Sequence, residues 1–109
     1  MDLSIHHHDK HAVVSVFGEV DLSTSSQLDE AVVGAIQQDT NHLTIDLAKV
    51  SFLDSSGLGV IVKALKRSNE ASIKFDVVAS NERVLKVFAI TGLDTVISIY
   101  SDLSAIPES

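Results

Sequence analysis

The strongest constraint on this chain is a change of hydrophobic period that recurs along it. Leu43, Ile45 and Leu47 alternate with Thr44 and Asp46, as do Ile73, Phe75 and Val77 with their neighbours, which is the period of a strand. Between these segments the period becomes helical: Leu28, Val32, Ala35 and Ile36 share one face, as do Leu58, Ile61, Val62 and Leu65. Strands that alternate with helices imply a sheet that is at least partly parallel, with right-handed crossovers. The chain opens differently. Leu3 to His7 and the valine-rich run Ala12 to Phe17, ending at Gly18, lie on either side of Asp9-Lys10, so two strands should form a hairpin. The expected order is β-β-α-β-α-β-α-β, a mixed sheet with three main helices.

Local signals set the expected boundaries. Thr24 with Gln27 fits a capping box, which places the first helix at about Ser25 to Gln38. Lys63, Lys66 and Arg67 lie toward the end of the second helix, where cations suit the negative terminus. Ser80 or Asn81 can cap a third helix carrying Val84, Leu85, Phe88 and Ala89, with Gly92 as its terminating glycine and Leu93 as the hydrophobe beyond it. Val96 to Tyr100 reads as a last strand. Asp102 to Ile106 reads as one helical turn before Pro107, the single proline.

Composition then excludes whole classes of function. With 109 residues, the economical reading is one domain over residues 1–109. The formal charge of −7 argues against a nucleic-acid binder and against attachment to anionic lipid. No cysteine is present, which removes disulfides, thiolate metal sites and thiol nucleophiles. No apolar run is long enough for a membrane span, and Met1 to His8 lacks the features of a signal peptide, so a cytoplasmic protein is expected.

The segment with chemical content is Asp54-Ser55-Ser56-Gly57-Leu58, between a strand and a helix. Two readings fit it. In one, Ser55 or Ser56 caps the helix, and Gly57 and Gly59 allow a tight turn or a close approach of helix and sheet. In the other, a serine there is phosphorylated: a helix N-terminus offers free N–H donors and the positive end of a dipole. The fold would then tolerate the phosphate, whereas a docked partner would meet its charge.

Three segments together resemble the bacterial anti-sigma factor antagonists, which are single-domain STAS proteins. They are Val50 to Val60, with Asp54-Ser55-Ser56-Gly57-Leu58 at its centre; Gly18-Glu19-Val20-Asp21-Leu22 before a hydroxyl-rich helix start; and Val84 to Ile90 followed by Thr91-Gly92-Leu93-Asp94. The resemblance covers nearly the whole chain in order. It implies a STAS-type sheet and a non-enzymatic antagonist with no cofactor and no metal. It implies that Ser55 is phosphorylated by an anti-sigma factor acting as a serine kinase, and restored by a metal-dependent serine phosphatase. In its unphosphorylated form such a protein binds the anti-sigma factor and releases the sigma factor. The residues implied to meet the partner are Asp21, Ser23, Asp54, Ser55, Ser56, Gly57 and Leu58, with Asp21 and Asp54 flanking the phosphoacceptor. The tail after Tyr100 is shorter than the family's usual last helix.

Other readings of the residues are weaker. His6, His7, His8 and His11 suggest a metal, but strand alternation separates His7 from its neighbours and no compact carboxylate set completes a site. A solvated strand end is the plainer reading. No nucleophile elbow, Walker loop or dinucleotide fingerprint is present. A receiver domain phosphorylated on Asp54 would need an acidic pair and a lysine that Glu19, Asp21 and the last strand do not supply. A STAS module that binds partners without a kinase cycle, as a non-catalytic scaffold, is the alternative function.

Overall fold

The computed structural model describes residues 1–107; the last two residues of the expected domain lie outside them. The elements run in the order β1 (Asp2–His8), β2 (His11–Val20), α1 (Ser25–Ala35), β3 (His42–Leu53), α2 (Ser55–Glu70), β4 (Lys74–Val78), α3 (Glu82–Thr91) and β5 (Ser98–Tyr100). The strands form one five-stranded sheet in chain order. β1 is antiparallel to β2, with Leu3 opposite Val16, and the turn is made by Asp9 with φ of 55°. The remaining neighbours are parallel. This is the mixed sheet with three helices that the change of period implied.

Packing follows the alternation. Ala12, Val14 and Val16 are fully buried on β2, while Val13 and Ser15 between them are half-buried. α1 packs on β1 and β2, α2 on β3 and β4, and α3 on β3. Leu28 and Val32 of α1, Ile61 and Ala64 of α2 and Phe88 of α3 are each fully enclosed. Burying each of the larger side chains stabilises by about 1.5–3 kcal/mol. Arg67 of α2 reaches Asp29 of α1 at 2.8 Å, a half-exposed pair that joins the two helices. None of the helices among the described residues is long and apolar enough to cross a membrane.

Several boundaries differ from expectation, each for an identifiable physical reason. β2 runs on through Gly18, whose φ of 101° accommodates the register shift before Glu19. β3 is far longer than Leu43 to Leu47, because two register shifts against β2 break its alternation and hide the strand pattern. The Asp46 carboxylate accepts from the Ala48 N–H at 3.0 Å at the first irregularity. α1 stops at Ala35 rather than Gln38, since Gln37 to Asn41 carry no apolar side chain to bury, and Gln37 and Thr40 close a turn on each other. The capping box does not form: Thr24 already has helical dihedrals, and its side chain turns back to Asp21. β4 begins one residue later than Ile73. β5 is shortened to three residues, because Leu93–Thr95 forms a 3-10 turn that captures the Val96 and Ile97 N–H groups. At α3 the expectation holds: Asn81 accepts from Arg83 and Val84, and Gly92 follows in the left-handed region. After β5 the described residues form a second 3-10 turn, Leu103–Ala105.

Candidate functional site

β2 and β3 end side by side. Val20 pairs with Leu53, and the Asp54 N–H donates to the Val20 carbonyl at 3.1 Å. The next residue on each strand is therefore an aspartate, Asp21 or Asp54, and each opens the way into a helix. The loops after β2 and β3 thus share one end of the sheet, and with them the sequence-expected residues Asp21, Ser23, Asp54, Ser55, Ser56, Gly57 and Leu58.

The helix α2 start is capped by Asp54, not by a serine. Its carboxylate accepts from the Ser56 N–H at 2.9 Å, the Gly57 N–H at 3.1 Å and the Ser56 hydroxyl at 2.5 Å. These bonds favour the charged form. The Ser56 hydroxyl first, then the Gly57 N–H, hold the Asp54 carboxyl below its ordinary value, while the neighbouring Asp21 charge pulls the other way. Asp21 is held below its ordinary value in the same manner, chiefly by the Ser23 hydroxyl at 2.6 Å.

This bonding separates the serines. Ser23 and Ser56 are both committed to an aspartate. Ser55 is the first residue of α2, is exposed, and its hydroxyl has no hydrogen-bond partner among the described residues. The capping reading of the two serines is therefore corrected: Asp54 does that work, which leaves Ser55 free for chemistry. Two first-turn N–H groups are already taken by Asp54, so a phosphate on Ser55 would meet the dipole but also two carboxylates beside it.

Gly57 and Gly59 differ in role. A Cβ on Gly57 would lie 2.6 Å from Leu53 Cδ1 and 2.7 Å from Val20 Cγ1, whereas a Cβ on Gly59 would meet nothing within 4 Å. Gly57 is thus buried at the point where α2 crosses the strand ends, and it shapes the surface without forming it. Leu58 is half-buried against the core. Two exposed apolar side chains that the sequence reading passed over stand at this end: Leu22, 81% exposed, and Phe52, 46% exposed. Their signal lay in position, one just after Asp21 and one just before the end of β3.

The sequence pattern of the STAS domain family matches residues 2–106. The anti-sigma-B factor antagonist of Staphylococcus epidermidis is 38% identical over 86 residues, covering 79% of this chain and 80% of that protein. The Staphylococcus aureus protein of the same name is 35% identical over 85 residues, covering 78% and 79%. The crystal structure of an anti-sigma factor antagonist from Mycobacterium paratuberculosis superimposes with a TM-score of 0.87 at 31% identity, over 94% of this chain and 87% of that one.

Proposed function

This chain belongs to the STAS domain family, and from that premise we propose that it is an anti-sigma factor antagonist switched by phosphorylation of Ser55. Unphosphorylated, it binds an anti-sigma factor and frees the sigma factor, in the cytoplasm and without contact to DNA. The anti-sigma factor is also a serine kinase: the γ-phosphoryl group of ATP passes to Ser55 Oγ, and ADP and a proton leave. A metal-dependent serine phosphatase removes the group. The chain itself catalyses nothing in the cycle.

The observation that carries this reading is the state of the three serines at the strand ends. Ser55 alone of Ser23, Ser55 and Ser56 presents a hydroxyl that is exposed and unbonded. Asp54 and Asp21 flank it, and Leu22 stands beside them as an apolar contact for the partner. Phosphate adds about −1.5 to −2 charge to a surface that already holds two carboxylates. The partner's face must then bury that charge or let go, and like charges across an interface cost several kcal/mol.

The test is incubation with the cognate anti-sigma kinase and ATP, read by peptide mass spectrometry. Wild type and Ser56→Ala should gain one phosphate on Ser55, and Ser55→Ala should gain none while still binding the kinase. Phosphate appearing on Ser23 or Ser56 in place of Ser55 would sink the assignment.

A further inference from the structure

A second cluster of chemistry-bearing side chains lies at the other end of the sheet, where β2, β3 and β4 begin. His11 of β2 pairs with His42 of β3, and His42 with Lys74 of β4; two residues on, Thr44 pairs with Asp76. The His11 and His42 rings are stacked, with centroids 3.8 Å apart and planes 3° from parallel. His42 Nε2 lies 2.7 Å from Asp76 Oδ2, and His11 Nε2 lies 2.7 Å from Thr44 Oγ1. The Thr44 hydroxyl donates to Asp76 Oδ1. Asp76 and Thr44 are fully buried, His42 nearly so, and His11 half-buried beside an open cleft.

The bonding fixes the protons. An ionised Asp76 can only accept, so Thr44 spends its one proton there, and His11 Nε2 must donate to Thr44. His42 Nε2 donates to Asp76. Any further proton must enter at Nδ1 of one ring or the other. One such proton on the pair is balanced by the Asp76 carboxylate. A second sets two cations face to face with a single carboxylate to hold them.

A metal ion is the competing occupant, since one ligand atom from each of His11, His42 and Asp76 falls within 4.8 Å of the others. The stack rules it out as the arrangement stands. An imidazole binds metal in its ring plane, and two parallel planes cannot both contain one ion.

We propose that His11, His42, Thr44 and Asp76 form a proton-sensitive clasp across the starting ends of β2, β3 and β4, which holds at neutral pH and is loosened when the histidine pair takes a second proton. The surrounding charges favour this. His8 of β1 and Lys74 of β4 both oppose a positive charge on His11, and Asp76 supports one. The turn between β1 and β2 brings Asp9 and Lys10, one of each sign, and the loop before β3 brings Asp39 to the same cleft. Burial first, then the charge of His42, holds His11 below the ordinary histidine value of 6.5. The folded chain thus binds fewer protons than the unfolded one below that pH. The stability is full above it and is lost as pH falls through it.

The experiment is thermal unfolding of the full chain between pH 8 and pH 5, with NMR titration of the histidine rings. His11→Gln keeps an N–H for Thr44 and cannot be protonated; exposed His8→Gln is the control. Wild type and His8→Gln should lose about 5 °C more in Tm on acidification than His11→Gln does. In wild type, the His11 ring signals should report its protonation over the same pH range as the loss in Tm. An acid loss in His11→Gln equal to that of wild type, or protonation of His11 in wild type with no accompanying loss in Tm, would overturn the clasp.

Discussion

The two loops that leave the sheet at Asp21 and Asp54 use the same chemistry to different ends. In each, an aspartate at a strand end gathers the N–H and the hydroxyl of the serine two residues on: Ser23 for Asp21, Ser56 for Asp54. In each, the residue between them is turned outward. That residue is Leu22 in the first loop and Ser55 in the second. The third positions differ too. Thr24 folds back on Asp21, and α1 starts without a side-chain cap, whereas Gly57 lets α2 begin at once with Asp54 as its cap. One scaffold therefore exposes an apolar side chain in one loop and an unbonded hydroxyl in the other. The difference teaches that an aspartate bonded to the serine two residues on fixes the turn in both loops, and that the residue between them is the one left exposed.

The largest test of that contrast concerns the exposed position. Ser55→Asp and Ser55→Glu should weaken binding to the anti-sigma factor by about 100-fold, or about 3 kcal/mol, in calorimetry. Their Tm should stay near that of wild type, because Ser55 makes no contact that the fold depends on; a collapse of Tm in both would mean the serine is structural after all. Next comes the third position. Gly57→Ala must push Leu53 and Val20 aside and should destabilise by about 1–3 kcal/mol in urea unfolding. The matched Gly59→Ala should instead stabilise by up to about 1 kcal/mol, since its Cβ finds open space within a helix. Equal effects at the two glycines would remove the crowding argument.

Leu22→Ala tests the outward apolar residue. It should weaken partner binding by about tenfold and leave stability within about 0.5 kcal/mol of wild type. Unchanged affinity would leave Leu22 outside the interface. The smallest effect is expected from the aspartates' charge. The Asp54 carboxyl is held below 3.8, chiefly by the Ser56 hydroxyl, so its contribution is present above that pH and is lost as pH falls through its lowered value. Asp54→Asn keeps an acceptor for the cap and should show a shallower loss of urea resistance between pH 5 and pH 2 (a range about the ordinary aspartate value).

Much of this was legible from the residues. The periods of two and 3.6 placed every strand and helix, and Asn81 and Gly92 marked the ends of α3 because their signals are local. The misread boundaries were those where a neighbouring strand decides, as in β3, or where a short-range turn outcompetes the expected element, as at the start and end of α1 and before β5. β3 looked short because its register shifts against β2 break the alternation, and those shifts exist only in the paired sheet. Thr24 with Gln27 had the letters of a capping box, but Asp21 outcompeted the helix for the threonine hydroxyl. At the site, the serine pair was evident, but which serine was free was not. That depended on Asp54 reaching two residues forward to Ser56.

The sequence alone determined the order of elements, the acidic and cysteine-free character of the chain, and the place of the Asp54-Ser55-Ser56-Gly57 turn between a strand and a helix. Such features depend on composition and on neighbours a few residues apart. Only the tertiary structure decided that Asp21 stands near Asp54, that Leu22 and Ser55 are exposed at the same end of the sheet, and that His11, His42 and Asp76 meet at the far end. These pairs are 31 to 65 residues apart, and strand pairing alone brings them together. Register is a property of the assembled sheet, set by which side chains the core must bury, and no segment carries it by itself.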